Sequence, residues 1–328
     1  MPADSKRVGV VLLQLGGPDG PESVEPFLRN LFSDPDIIDL PLAFLFRKTL
    51  ARIIASRRSS KVIAVYRRIG NRSPILKLTR RQASALERAL RASLDTRVVV
   101  AMRYWHPMTE EALAGISRER FDRIVLLPLY PQYSKSTTGS SIHEWERSVR
   151  SLGVNGIQTS IINNYCDHPL YIQALIRNIT FALNRVKPAE RKSVHLVFTA
   201  HGTPMSLVRS GDPYRDQVVR TFNSVVAEGQ FGLPHHLCFQ SKVGPQRWLE
   251  PSLIETIDRL AKEHVSHVIA VPISFVSDHS ETLFEINMEA REQAKRLGIR
   301  HFDMSPALNS APLFIRALAD LVVQQVQG

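Results

Sequence analysis

Cysteine is scarce in this 328-residue chain: only Cys166 and Cys238 occur, far apart and in no paired spacing. That excludes a disulfide scaffold, a zinc knuckle and a conventional iron–sulfur ligand set, and it fits a reducing cytoplasm. Long apolar runs are missing too. No stretch reaches the roughly 18 residues expected of a spanning helix, so the chain is expected not to cross a membrane. The N-terminal run contains Gln14 and ends in Gly-Gly-Pro without a small-residue cleavage pattern, so it reads as a first buried strand rather than a leader.

Nucleotide loops are absent as well. Gly16-Gly17-Pro18 lacks the G-x-G-x-x-G spacing, and Pro18 removes an N–H that a phosphate cradle needs. GNRSP at Gly70–Pro74 is not followed by Gly-Lys-Ser/Thr. No nucleotide cofactor is expected. Acidic residues nearly vanish from one segment: Arg47 to Arg103 holds 16 Lys plus Arg against Glu87 and Asp95, in a chain of net charge +11. Such a patch suits nucleic acid, an anionic lipid surface or a carboxylated small molecule. With no finger, helix-turn-helix or aromatic RNA-binding motif, nucleic acid is not the expected partner.

What the chain does have is 44% apolar residues, enough for one large domain or two of ordinary size. Eight short β-branched runs alternate with helical patterns: Val8–Leu15, Val98–Arg103, Ile124–Leu129, Thr159–Asn163, Val194–Ala200, Leu237–Gln240, Val268–Phe275 and Arg300–Met304. Runs this apolar, separated by helix-length segments, indicate parallel strands covered on both faces, hence an α/β fold. VLLQLGGP at Val11–Pro18 echoes LVFTAHGTP at Leu196–Pro204, and RIVLLPLYPQYS at Arg123–Ser134 echoes HVIAVPISFVSD at His267–Asp278. The chain therefore divides into two similar halves, 1–165 and 166–328, with the polar segment Asn184–Ser193 a candidate crossing point.

Chemistry concentrates at Val271–Glu289, where an apolar strand runs through Asp278 and His279 into a helix bearing Glu281, Glu285 and Glu289. At about 100° per residue the three carboxylates fall within roughly an 80° arc. One reading is an active site at the C-terminal end of a strand. The other is structural: Asp278 and Glu281 have the spacing of a capping box, and glutamates are common on solvated faces. A second segment, Leu40–Ile54, sets Leu42, Phe44, Leu45, Phe46, Leu50, Ile53 and Ile54 among Arg47, Lys48 and Arg52. It reads either as an interfacial helix lying on a membrane or as a core-facing helix with solvated charges.

Seven ordered motifs favour the interfacial reading of Leu40–Ile54 and assign Glu281 to a site while leaving Asp278 free to cap the helix: LQLGGPDGPESVEPFLRNLFSDPDII, YRRIGNRSP, MRYWHPMTEEAL, LYPQYSKSTTGSS, FTAHGTPMSLVRSGDPY, FQSKVGPQRWLEP and VPISFVSDHSETLFEI. Together they resemble the ferrochelatases, which insert ferrous iron into a porphyrin. The resemblance implies a chelatase-like fold of two Rossmann-like domains, each a parallel sheet with flanking helices, enclosing a porphyrin cleft. It implies that His201 and Glu281 contact the metal and handle protons, with Asp278, His279 and Glu285 beside them. It places Arg57, Arg58, Lys61, Tyr66, Ser73 and Ser241 at positions that hold propionates or line the mouth. Arg103, Tyr104, Tyr130 and Trp248 correspond to pocket residues that orient the macrocycle, and Leu15 abuts the ring. Core packing is the alternative for Trp248.

A free-base porphyrin keeps two N–H protons in a flat ring, so a metal enters only when the ring distorts and a base accepts those protons. Incomplete oxygen and nitrogen ligation suits a metal that must be passed on. The resemblance makes Leu40–Ile54 a lip resting on the inner face of the cytoplasmic membrane. Relatives often read GGGSP where this chain has Gly70-Asn71-Arg72-Ser73-Pro74, and LNLGGP where it has Gln14. Lys135 stands where animal relatives carry a cluster-ligating cysteine, so no iron–sulfur cluster is expected, and Fe2+ enters only as substrate. A monomer is expected. Protoporphyrin IX is the expected porphyrin, with coproporphyrin the nearest rival. A non-catalytic haem or porphyrin carrier is the rival of another class.

Overall fold

The computed structural model describes residues 7–37, 43–154, 156, 158–242 and 246–327. They form two compact units: one takes in the chain up to Asn164 and again from Ile315 onward, the other is Tyr165–Phe314. The division into 1–165 and 166–328 therefore needs one change, the return of the C-terminal helix to the first unit, where Arg123 Nη1 donates to the Gln325 and Val326 carbonyls at 3.0 and 3.2 Å. Asn184–Ser193 lies inside the second unit and is not a crossing point.

The first unit runs β1 (Arg7–Gln14), α1 (Val24–Phe32), α2 (Ala43–Arg68), α3 (Ile75–Leu90), β2 (Asp95–Met102), α4 (Thr109–Ile116) and β3 (Arg123–Pro128), then a π-helical turn (Lys135–Gly139), α5 (Ser140–Leu152) and β4 (Gln158–Ile161). Its four parallel strands lie in the order β2-β1-β3-β4. Every residue of β1 from Val8 to Gln14 is buried, as a strand covered by helices on both faces must be. Val11, Leu13 and Leu126 pack against Leu113 of α4 and Trp145 of α5. Each such side chain contributes about 1.5–3 kcal/mol when fully buried.

The second unit runs α6 (Pro169–Asn184), β5 (Val194–His201), α7 (Met205–Arg209), α8 (Tyr214–Gly229), β6 (His235–Gln240), α9 (Leu253–Lys262) and β7 (His267–Pro272), then a π-helix (Glu281–Ala290), α10 (Arg291–Arg296) and β8 (His301–Met304). The closing helix α11 (Pro312–Gln327) follows. Strand order is β6-β5-β7-β8, again all parallel, so the two sheets have the same winding. The echoed motifs fall on equivalent strands, β1 with β5 and β3 with β7. Each of β3 and β7 is followed by a π-helical segment. All eight expected strands are present, each within a few residues of its expected bounds.

Two sequence departures have local explanations. Gly70 and Asn71 both have positive φ, 99° and 65°, and the Asn71 N–H closes the end of α2 on the Tyr66 carbonyl at 2.8 Å. Asparagine enters this left-handed region more readily than other non-glycine residues, so it replaces a glycine here at little cost. Gln14, buried at the end of β1, accepts the Leu15 N–H on its own Oε1 at 3.0 Å.

Candidate active site

β5 ends on His201, and its neighbour β7 leads into the turn before the π-helix, so the two strands deliver an imidazole and a carboxylate to the same sheet end. His201 Nδ1 lies 2.8 Å from Glu281 Oε2. The chain turns away from His201 through Gly202, whose N–H donates to the Gln240 carbonyl at 2.7 Å. A Cβ there would stand 2.8 Å from that same oxygen, so only glycine permits this close approach. The His201 backbone is held on both sides: its N–H donates to Ser274 Oγ at 3.0 Å, and its carbonyl accepts the Tyr214 hydroxyl at 2.9 Å. Phe275 sets its ring edge-on to the imidazole, centroids 6.3 Å apart.

Ser241, just past β6, links a second carboxylate to the pair. Its Oγ donates to Glu285 Oε2 and lies 3.3 Å from Glu281 Oε2. The backbone there is left-handed, φ 69°, which turns the hydroxyl between the two acids. Burial pushes the Glu281 carboxyl up, but the His201 charge and hydrogen bond, with His279 and Ser241 behind them, outweigh it and hold it near 2. For Glu285, burial and the Glu281 charge act together and raise it to about 7. Burial disfavours the imidazolium of His201, yet Glu281 and then Glu285 raise its pKa above the ordinary histidine value. Three titrating groups of different character thus share one hydrogen-bonded chain.

The tautomer follows from the partners. An ionised Glu281 can only accept, so the neutral imidazole of His201 carries its proton on Nδ1 and keeps the Nε2 lone pair open. The His201 side chain is 37% exposed and that of Glu281 19%. Glu289, one step further along the helix, is exposed. The acidic stripe survives, but on a π-helix rather than an α-helix: i→i+5 winding takes more residues per turn, so positions four apart still share a face.

Asp278 and His279 serve this site differently. His279 is buried, its Nδ1 donates to the Ser277 carbonyl at 3.0 Å, and its Nε2 stands 4.0 Å from Glu281 Oε1. Burial lowers its pKa below the ordinary histidine value, against the opposing pull of Glu281. Asp278 turns away, accepting from Asn309 Nδ2 at 2.9 Å and Thr282 Oγ1 at 3.2 Å. The capping box expected of Asp278 and Glu281 does not form, because Glu281 is drawn to His201 and Ser241 and Asp278 bonds side chains. Trp248 packs its indole close to Gly202, with Nε1 buried and, among the described residues, without a hydrogen-bond partner.

In the first unit, Arg57 and Lys61 are exposed on α2, and the Arg58 guanidinium lies 5.5 Å from the Phe32 ring centre. Tyr66 is buried beside Val24 and Phe27, and Leu15 packs against the same cluster. Ser73 Oγ accepts the Ile75 N–H at the start of α3, at 3.3 Å. Arg103 and Tyr104, expected to orient the macrocycle, point their polar ends inward. Arg103 Nη2 pairs with Asp34 Oδ2 at 2.9 Å, and the Tyr104 hydroxyl donates to the same oxygen at 2.6 Å. Tyr104 is 1% exposed, and burial and Asp34 raise its pKa well above the tyrosine value. Burial likewise pushes the Tyr130 phenol up.

Sequence reasoning missed Ser274, Phe275, Tyr214 and Asp34. The first two lie inside the strand-turn segment already singled out, and Tyr214 closes the SGDPY motif. The proximity of Ser274, Phe275 and Tyr214 to His201, and of Asp34 to Arg103 and Tyr104, is what a linear reading lacks.

Two parallel sheets of one strand order, with an imidazole, a carboxylate and a serine hydroxyl gathered at strand ends of the second, define a chelatase-type fold. Two solved structures share the fold. SirB from Bacillus subtilis with Fe3+ has a TM-score of 0.56 at 12% identity, covering 98% of this chain and 95% of that one. CbiX, described as the terminal enzyme for biosynthesis of siroheme in denitrifying bacteria, has a TM-score of 0.51 at 13% identity, covering 97% and 99%. The chain belongs to the ferrochelatase family, whose model matches residues 7–326. A ferrochelatase of Geotalea uraniireducens is 48% identical over 98% of this chain and 99% of its own length. One of Aquifex aeolicus is 46% identical over 98% and 100%.

Proposed function

We propose that this ferrochelatase-family chain inserts Fe2+ into protoporphyrin IX to form protohaem, with His201 Nε2 as the base that accepts a pyrrole proton. The observation that carries this reading is the 2.8 Å contact between His201 Nδ1 and Glu281. It fixes the tautomer that leaves Nε2 basic, and the nearby carboxylates stabilise the imidazolium that forms. Insertion releases two protons from the ring nitrogens. One passes to His201. The other has a route through Glu281, Ser241 and Glu285 toward exposed Glu289, since a hydroxyl both accepts and donates. Fe2+ is the substrate, and an open set of imidazole and carboxylate groups binds it weakly enough to release it to the porphyrin.

Arg57 and Lys61, both exposed, suit propionate carboxylates. We also propose peripheral attachment to a membrane surface through α2, on which Phe46 is 67% and Ile53 43% exposed. Leu40 to Leu42 of the proposed lip lie outside the described residues. Among the described residues no helix is long and apolar enough to cross a membrane. Burial raises the Cys166 and Cys238 thiols to about 11 and about 12, and the reading of a chain without an iron–sulfur cluster rests on Lys135 at the position of a ligating cysteine. The reading remains that of a cytoplasmic monomer.

An anaerobic Fe2+ insertion assay with protoporphyrin IX and coproporphyrin tests the function. Protoporphyrin is expected to turn over faster, and His201→Ala is expected to bind porphyrin yet lose at least 100-fold in insertion rate. Preference for the four-propionate substrate would overturn the substrate choice, and full activity of His201→Ala would overturn the mechanism.

A further inference from the structure

We propose that the recess between α3 and the edge strand β2 binds a small multivalent anion, a molecule carrying two or more clustered phosphate or carboxylate groups. The recess is open to solvent, offers about 570 Å³ and is lined by Arg80, Ser84 and Arg88 of α3, by Arg91 just past its end and by Arg97 of β2, over a floor of Ala83 and Val98–Val100. It lies in the unit that contains neither His201 nor Glu281, and it does not depend on the chelatase reading.

The arrangement is built by the sequence pattern. Positions 80, 84, 88 and 91 fall on one stripe of an α-helix, and strand alternation presents Arg97 beside them. Four guanidiniums share the recess with one carboxylate, Glu87, which pairs at long range with two of them. Its Oε2 accepts the Val98 N–H at 2.9 Å, while its Oε1 stays 3.9 Å from both Arg91 and Arg97. Among the described residues no carboxylate lies within ion-pair distance of Arg80 or Arg88. Like charges gathered this closely repel one another, and a multivalent anion relieves the repulsion through the paired N–H geometry that guanidinium offers to oxyanions.

The edge strand itself argues for a small ligand rather than an added strand. Glu87 occupies the Val98 N–H, and the Met102 N–H donates to the Pro107 carbonyl at 2.7 Å. Both lie on the strand's outer side, so an added strand would have to displace these two bonds. The volume falls within the roughly 300–1,000 Å³ of small-molecule sites.

Calorimetric titration of the full chain with tripolyphosphate and with citrate, at constant ionic strength set by NaCl, tests the site and separates phosphate from carboxylate ligands. The double variant Arg88→Glu/Arg97→Glu is expected to lose at least tenfold in affinity for whichever anion binds. Arg118→Glu/Arg120→Glu, an equal change in net charge outside the recess, is expected to stay within twofold of the parent. If the charge-reversed lining fails to fold, Arg88→Gln/Arg97→Gln gives the same comparison. Equal losses in lining and control variants, an unchanged affinity in the lining variants, or no binding of either anion would each overturn the proposal.

Discussion

Ser241 gains a contact that its motif does not show. Resemblance places it among the positions that hold propionates or line the mouth of the cleft, and its hydroxyl lies between Glu281 and Glu285. A single hydroxyl contacting two acids of opposed character, one near 2 and one near 7, positions the carboxylate pair. Because φ is 69° there, glycine suits the backbone, so Ser241→Gly removes the hydroxymethyl group without adding strain, and Ser241→Ala removes the hydroxyl alone. A hydrogen bond to a charged group contributes about 1.5–3 kcal/mol, so Ser241→Gly is expected to lower kcat about 10- to 100-fold with the porphyrin KM little changed. A raised porphyrin KM at unchanged kcat would return Ser241 to the propionates. His201 and Glu281 were legible from their motifs. The Ser241 contact was not, since it joins residues 40 and 44 positions apart through one small side chain.

Among the elements, strands were the most legible. Runs such as β7, buried at every position, have no exposed face to interrupt their apolar character. The π-helix was not legible, because spacing of four satisfies both α and π winding and only the backbone hydrogen bonds distinguish them. A second hidden feature lies at the start of β5 and β6. His195 Nδ1 is 3.0 Å from His236 Nε2, the rings are stacked, and Arg259 Nη2 donates to His236 Nδ1 at 3.1 Å. His236 therefore carries its proton on Nε2 and gives it to His195, an arrangement available only to neutral rings. Burial, then Arg259 and His195, lower His236 to about 4, and burial lowers His195 as well. An unfolded histidine titrates near 6.5. The stabilisation is thus present in full above that pH and is lost as pH falls toward 4. Urea midpoints are expected to drop between pH 7 and pH 5, and to drop less in His236→Gln. An identical pH dependence in that variant would remove His236 from the account.

For the whole molecule, the internal echoes exposed the duplication, and the two sheets share one strand order. The closing helix escaped that logic. Duplication suggests that the last helix belongs to the second half, yet from Ile315 onward the chain groups with the first unit. Its periodicity marks which side chains are buried and is silent on what they pack against. Ile315, Leu318 and Val322 are at most 5% exposed, and three buried aliphatics at about 1.5–3 kcal/mol each approach the 5–15 kcal/mol that separates a typical folded domain from its unfolded chain. Leu318→Ala is therefore expected to cost about 2–5 kcal/mol. The loss should appear in the denaturant transition followed by Trp145, which is buried in the core of the first unit, in a chain whose other tryptophans are replaced by phenylalanine. A transition unshifted at Trp145, with the loss confined to a probe in Tyr165–Phe314, would show that α11 stabilises the second unit instead.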